Sequence, residues 1–225
     1  MKISLVKQKV CYRLTFAGWI LILSVNFLFV LLLVKSISSF LVVNRPLETE
    51  VLVVDGLLPG YGYDSIVSLV KKNSYKYLIT TGADVDYVFN SGEHFNIAEF
   101  SYNVLSTKDI GDCKLYKAPA HNIIRDRTFS SAMRLKNWFV CNKIFPWKFN
   151  VVSFSCHARR TWILYRKAFR QYAEVGIITI PDMSYNYNHW YNNSKGVRLV
   201  LSETIGFIYS TVFFHPNISA YENSN

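Results

Sequence analysis

The chain is short of several things at once. Only 18% of its 225 residues are charged, and 51% are apolar. That balance excludes a disordered chain. Acidic residues number 15 against 25 lysines and arginines, and the first 35 residues contain none. The four cysteines (Cys11, Cys113, Cys141, Cys156) form no CxxC pair. Three of them lie beyond residue 35, an odd number, so no full disulfide framework can be read. The five histidines show no HxxxH spacing, which argues against a structural zinc site. No basic run is interleaved with aromatics, so nothing resembles a nucleic-acid footprint. Internal repeats and long low-complexity segments are also missing.

What is present begins with one long apolar run. Phe16 to Val34 reads FAGWILILSVNFLFVLLLV, nineteen residues without a charge. At about 1.5 Å per residue it reaches nearly 30 Å, the thickness of a bilayer core. A signal peptide would have a shorter apolar region of about 7–15 residues and then a small-residue cleavage site. The length favours an uncleaved anchor, although Ser-Ile-Ser follows. Lys2, Lys7, Lys9 and Arg13 precede the run, against Lys35 and Arg45 after it. Positive charge stays in the cytoplasm. The expectation is a single-pass plasma (inner) membrane protein with residues 1–15 inside, a span over 16–34 and a linker over 35–48. The main domain, 49–218, would lie outside, with a frayed tail over 219–225. Outside the first 35 residues the charge is a modest +5, suited to an anionic ligand or a phospholipid surface.

The body alternates short apolar runs with helical patterns. EVLVVD (50–55), KYLITT (76–81), CKLYK (113–117), NVVSFS (150–155) and EVGIITI (174–180) read as five buried strands. Between them come a helix capped by Asp64, one over Glu93–Leu105, one opened by Asp126, and a strongly amphipathic one over His157–Tyr172. A last helix, from about Lys195 to Phe213, reads as core-packed. Its Arg198 and Glu203 argue against a second span, because a mid-membrane charge costs about 2.5–3.5 kcal/mol. Strand–helix alternation predicts an α/β fold with a parallel sheet of about five strands, Rossmann-like, with helices on both faces. With strand order 3-2-1-4-5, ligands would bind outside the carboxyl ends of strands one and four.

Several residues could carry chemistry there. Ser155-Cys156-His157-Ala158-Arg159-Arg160 sits where strand four hands over to a helix. Unpaired N–H groups plus His157, Arg159 and Arg160 would seat a phosphate or carboxylate. The plainer alternative is that Ser155 caps the helix and the arginines are solvated. Cys156 reads as a buried, inert thiol rather than a nucleophile. Asp126 reads as a cap, with Arg127 and Thr128 able to turn toward an anion. Asp55 could bind a hydroxyl, a metal or a base, or simply end its strand. Glu203 has Leu199, Val200, Gly206 and Phe207 as helical neighbours, so it is not on a solvated face. A buried carboxylate needs a partner, and Arg127, Arg159 and Arg160 are the candidates.

VLVVDGLLPGYGYDS, YLITTGA, RDRTFSSAMRLKNWF, VVSFSCHARRTWILYRKAF with VGIITI, and HWYNNSKGVRLVLSETIGFIY together resemble the SanA/ElyC/YdcF-like family, over about Glu50 to Tyr209. The resemblance implies a Rossmann-like fold behind one N-terminal span. It also implies a pocket lined by Asp55, Gly56, Thr81, Gly82, Arg127, Thr128, His157, Arg159, Arg160 and Glu203. The chain departs from the family pattern at Asp-Gly-Leu-Leu-Pro after strand one and at Ser130-Ser131-Ala132 in the third helix. The expected activity is binding of a phosphorylated or nucleotide-like molecule, or of a lipid-linked intermediate, in cell-envelope, peptidoglycan or lipid-carrier metabolism. The cofactor stays unknown, and no metal or nucleic acid is expected. Two alternatives stay open. One is a hydrolase or transferase on a phosphoester or glycan, with His157 as acid or base and Glu203 or Asp55 orienting it. The other is a non-enzymatic envelope scaffold working through the Tyr185–Tyr191 loop and Trp190.

Overall fold

The structure is a computed structural model that describes residues 11–85, 95–121 and 125–216. The expected frayed tail lies outside the described residues, as do the first two residues of the helix expected from Glu93. The chain divides into two compact units, Met1–Ser36 and Ile37–Asn225.

The first unit carries most of α1 (Phe16–Leu41), a 26-residue helix long and apolar enough to cross a membrane. Side chains such as Trp19, Leu23, Phe27 and Leu31 are exposed around it. Lys35 does not end the helix, which continues to Leu41, where its last turn belongs to the second unit. The following residues are not a free linker. Arg45 exchanges backbone hydrogen bonds with Ile177, and the buried Asn150 amide grips both the N–H and the C=O of Leu47 at 2.8 Å.

The second unit is built on β1 (Val51–Asp55), β2 (Tyr77–Val85), β4 (Lys114–Ala120), β5 (Lys148–Phe154) and β6 (Glu174–Ile180). A two-residue β3 (Phe95–Asn96) pairs antiparallel with the far end of β2. The other strands run parallel in the order β4-β2-β1-β5-β6, the order expected from the sequence. Among the described residues β4 pairs with β2 alone, and an edge strand tolerates Pro119. Successive strand residues face opposite layers. Val51 and Val53 meet α4 (Arg127–Cys141) and α5 (Ala158–Ala168) through Phe129, Phe139 and Tyr165. Leu52 and Val54 meet α2 (Gly60–Asn73) and α3 (Ile97–Ser106) through Ile66, Val70 and Leu105. Each of those valines and leucines is at most 5% exposed, and burying one such side chain contributes about 1.5–3 kcal/mol.

Several local expectations are corrected. Asp64 is not a cap: α2 starts four residues earlier after Pro59, and Asp64 pairs with Lys108 at 2.7 Å on the surface. The cap of α3 is Asn96, whose side chain accepts from the N–H groups of Ala98 and Glu99. Asp126 precedes α4 in the left-handed region (φ 51°) and makes no side-chain capping bond. Ser155 also has positive φ (51°) and bonds to Tyr185 instead of capping α5. The last helix, α6 (Ser194–Ile208), is not core-packed: only Gly196 and Val200 are buried within it. Apolar periodicity cannot distinguish a face turned to a core from a face turned elsewhere.

Candidate functional site

The strand order reverses its direction of growth at β1, with β2 and β4 on one side and β5 and β6 on the other. Connections leave such a point in opposite directions and open a crevice at the carboxyl ends. A cavity of about 380 Å³ lies there. Its wall includes Asp55 at the end of β1 and Gly56 after it, Gly82 and Ala83 in β2, Arg125 to Thr128 at the start of α4, and His157 and Arg160 from the β5–α5 junction. Gly56 takes φ +88°, a backbone turn at the cavity wall that a side chain would strain. Gly82 is needed for closeness: a Cβ there would meet Ile97 at 2.8 Å.

Asp55 is 5% exposed, and its Oδ1 accepts a 2.9 Å hydrogen bond from the Tyr165 hydroxyl. Burial pushes its carboxyl up to about 6, against the opposing pull of His157, Tyr165 and Arg160. Burial and the neighbouring carboxyl in turn hold the Tyr165 phenol well above its ordinary range.

Glu203 is met from the other side. Arg160 grips it with Nε to Oε2 at 2.8 Å and Nη2 to Oε1 at 3.1 Å. His157 Nδ1 lies 3.1 Å from Glu203 Oε2 and 3.0 Å from Arg160 Nη2. Protonated, Nδ1 donates to the carboxylate; unprotonated, it accepts from the guanidinium. Burial alone would raise Glu203, but His157 and Arg160 outweigh it and hold the carboxyl at about 2. Gly206 makes room for this contact, since a Cβ there would meet Arg160 Cδ and Nε at 2.9 Å. Glu203 does not line the first cavity. It lines a second one of about 280 Å³ with Leu57, Phe154, Cys156 and Leu199, which shares Asp55, Gly56 and His157 with the first.

Of the ten expected pocket residues, the first cavity gathers Asp55, Gly56, Gly82, Arg127, Thr128, His157 and Arg160. Thr81 lies beneath it, buried, donating to the Ala118 carbonyl at 3.1 Å. Arg159 is turned away from both cavities. Its Nε donates to the Phe40 carbonyl and its guanidinium lies 3.9 Å from the Phe40 ring centre. Sequence reasoning missed Arg125, whose charge next to Arg127 was a visible signal. It also missed Ser131, which it noted only as a departure from the family pattern, and Tyr165, which falls within the amphipathic helix over His157–Tyr172.

Comparison with family models, curated proteins and solved structures finds no match for the chain. The site therefore has to speak through its own chemistry. Among the described residues, no three His, Cys, Asp or Glu side chains gather as a metal site would. Arg125 and Arg127 are exposed, with Thr128 and the uncapped first turn of α4 beside them. That wall offers positive charge and N–H donors to an anion. The floor offers Asp55, an acceptor for a hydroxyl or a proton. Cys156 is buried, as expected, at 1% exposure, and burial raises its thiol above the ordinary value. In the tyrosine-rich loop, Tyr185 and Trp190 are buried, Tyr187 is partly buried and Tyr191 is exposed.

Proposed function

We propose that the chain is a membrane-anchored, Rossmann-like domain that binds a phosphorylated or nucleotide-like ligand outside the plasma membrane. This is the role implied by its resemblance to the SanA/ElyC/YdcF family, in envelope or lipid-carrier metabolism. One observation carries the reading: a cavity at the sheet's switch point has Arg125, Arg127, Thr128, His157 and Arg160 on its walls and a buried carboxyl on its floor. Phosphate oxygens fit the walls. A hydroxyl of the same ligand fits the floor, where it can donate to Asp55. The apolar α1 supplies the anchor, and the basic residues before it favour a cytoplasmic N-terminus.

A second reading, a hydrolase or transferase on a phosphoester or glycan, rests on Asp55. A carboxyl brought to about 6 can take a proton near neutrality. His157, with Nδ1 fixed by Glu203 and Arg160, would be the second proton-handling group.

The test is binding of pyrophosphate and of a nucleoside diphosphate to the full chain in detergent, by calorimetry. A charge-assisted contact contributes about 1.5–3 kcal/mol, so Arg127→Ala should weaken binding by roughly tenfold or more. Arg127 is exposed, so the melting temperature should not move. Equal affinity in Arg127→Ala and the parent would end the anion-binding reading. Release of inorganic phosphate from the diphosphate, lost in Asp55→Asn, would establish the enzymatic one.

A further inference from the structure

The helix that carries Glu203 has two unlike sides. Its inner side is fixed at two points. Arg160 holds Glu203, and Lys167 Nζ donates to the carbonyls of Ser210 at 2.6 Å and Phe214 at 2.8 Å, tying down the turn that continues α6. Its outer side carries Leu201, Ile205, Ile208, Tyr209, Val212 and Phe213, recurring at helical spacing. All are exposed, Ile205 by 68% and Phe213 by 69%. A helix on a water-washed surface puts polar residues outward, and a continuous apolar stripe there marks something that covers it.

The chain itself indicates what that is. The uncharged run ends at Val34, and Phe40, six residues on, packs edge-to-face on Phe207 of α6 with ring centres 5.2 Å apart. The helix with the apolar stripe therefore touches the segment by which the chain leaves its apolar run. Arg198, exposed one turn before Leu201, adds a positive charge at the end of the stripe. An apolar face flanked by a cation is the pattern of a helix lying in a bilayer interface.

We propose that α6 and its continuation to Phe213 lie in the outer surface of the lipid bilayer, with Leu201, Ile205, Val212 and Phe213 in the acyl boundary and Arg198 at the headgroups. The helix cannot cross the membrane while Arg160 and Lys167 hold its inner side. Because Leu199 and Glu203 of the same helix line the second cavity, docking sets that cavity against the membrane, beside the ligand crevice with which it shares Asp55, Gly56 and His157. The inference rests on the anchoring proposed above, and the experiment separates the two.

The full chain, with Cys11 and Cys141 replaced by serine, is reconstituted in nanodiscs of phosphatidylcholine and phosphatidylglycerol, with or without brominated acyl chains. An environment-sensitive fluorophore is attached at Ile205→Cys or Val212→Cys, with Val25→Cys in α1 and Lys114→Cys on β4 as references. All four positions are exposed, so folding is not at stake. The expected result is bromine quenching at 205 and 212 to about the level at 25, and none at 114. Water-like, unquenched emission at 205 and 212 with quenching at 25 overturns the docking and leaves the anchor. Blue-shifted but unquenched emission at 205 also overturns it: a protein surface then covers the face, a second copy if the shift vanishes at one chain per disc. No quenching at 25 overturns the anchor, and quenching at 205 and 212 would then sustain docking alone.

Discussion

Asp55 at the end of β1 and Glu203 in the middle of α6 border the same His157 and Arg160, yet their carboxyls are driven in opposite directions. Asp55 is pushed up to about 6 and Glu203 is held at about 2. Burial does not explain the difference, since Glu203 keeps only 14% of its side-chain exposure. Contact does. Glu203 is held by His157 at 3.1 Å and by two hydrogen bonds from the guanidinium, whereas the direct donor to Asp55 is the neutral Tyr165. A hydrogen-bonded charge stabilises a carboxylate far more than one acting across a gap. With Arg160 committed to Glu203, Asp55 is left as a group that changes protonation near neutrality. Two carboxyls separated in this way divide the work: one fixes a cation in place and the other can exchange a proton.

The strongest way to break the contrast is to remove the paired member. In Glu203→Ala the Arg160 charge loses its partner within a half-buried junction, and breaking such a pair costs about 3–5 kcal/mol. The depressed carboxyl implies a similar size. A native carboxyl at about 2 against an ordinary 4.5 contributes about 3 kcal/mol. Because the native value is depressed, that contribution is full above pH ~4.5 and is lost as the pH falls through 2. Urea unfolding of the full chain in detergent at pH 7 should show the loss, and the variant should lack this part of the acid destabilisation. An unchanged midpoint would mean that the triad holds nothing together.

The sequence exposed Glu203 better than its surroundings. A carboxylate flanked by Leu199, Val200, Gly206 and Phe207 announces burial, and burial announces a partner. The choice between Arg159 and Arg160 was not legible. Adjacent helical residues project about 100° apart, and which one enters the site depends on how α5 is rotated against α6 and the last turn of α1. Tyr165 falls within the amphipathic helix over His157–Tyr172; its ring packs in the core, while its hydroxyl reaches past that packing to Asp55. Strand order was legible because five buried runs separated by helices admit few right-handed arrangements. The left-handed backbone at Asp126 and Ser155 was not, because tertiary contacts set it.

The opposite change sharpens the contrast. Asp55→Asn removes a buried charge and keeps the shape. The native carboxyl sits above its ordinary value of 3.8, so its contribution to stability is full below pH ~4 and is lost as the pH rises through 6. The parent should therefore lose at most about 3 kcal/mol across that window, and the variant should stay flat. At pH 8 the variant should be the more stable of the two, by about 2 kcal/mol, while binding of a hydroxylated phosphate ligand weakens. Parallel pH profiles for variant and parent would show that Asp55 does not titrate in this range.

The smallest change tests the cause directly. Tyr165→Phe keeps the ring, which stacks on Phe169 at an interplanar angle of 5°, and removes only the hydroxyl bonded to Asp55 Oδ1. That donor favours the charged carboxylate, so without it the Asp55 midpoint should climb further above 6, by roughly one unit or about 1.4 kcal/mol. The loss of stability should be larger at pH 8, where the carboxylate is charged, than at pH 4, where a neutral hydrogen bond of about 1 kcal/mol is at issue. A pH-resolved unfolding series distinguishes the two limits. If the midpoint stays where it is, the phenol does not hold Asp55 down. Distant charge from His157 and Arg160 then opposes its burial, and the distinction between contact and proximity drawn from Glu203 fails at the other carboxyl.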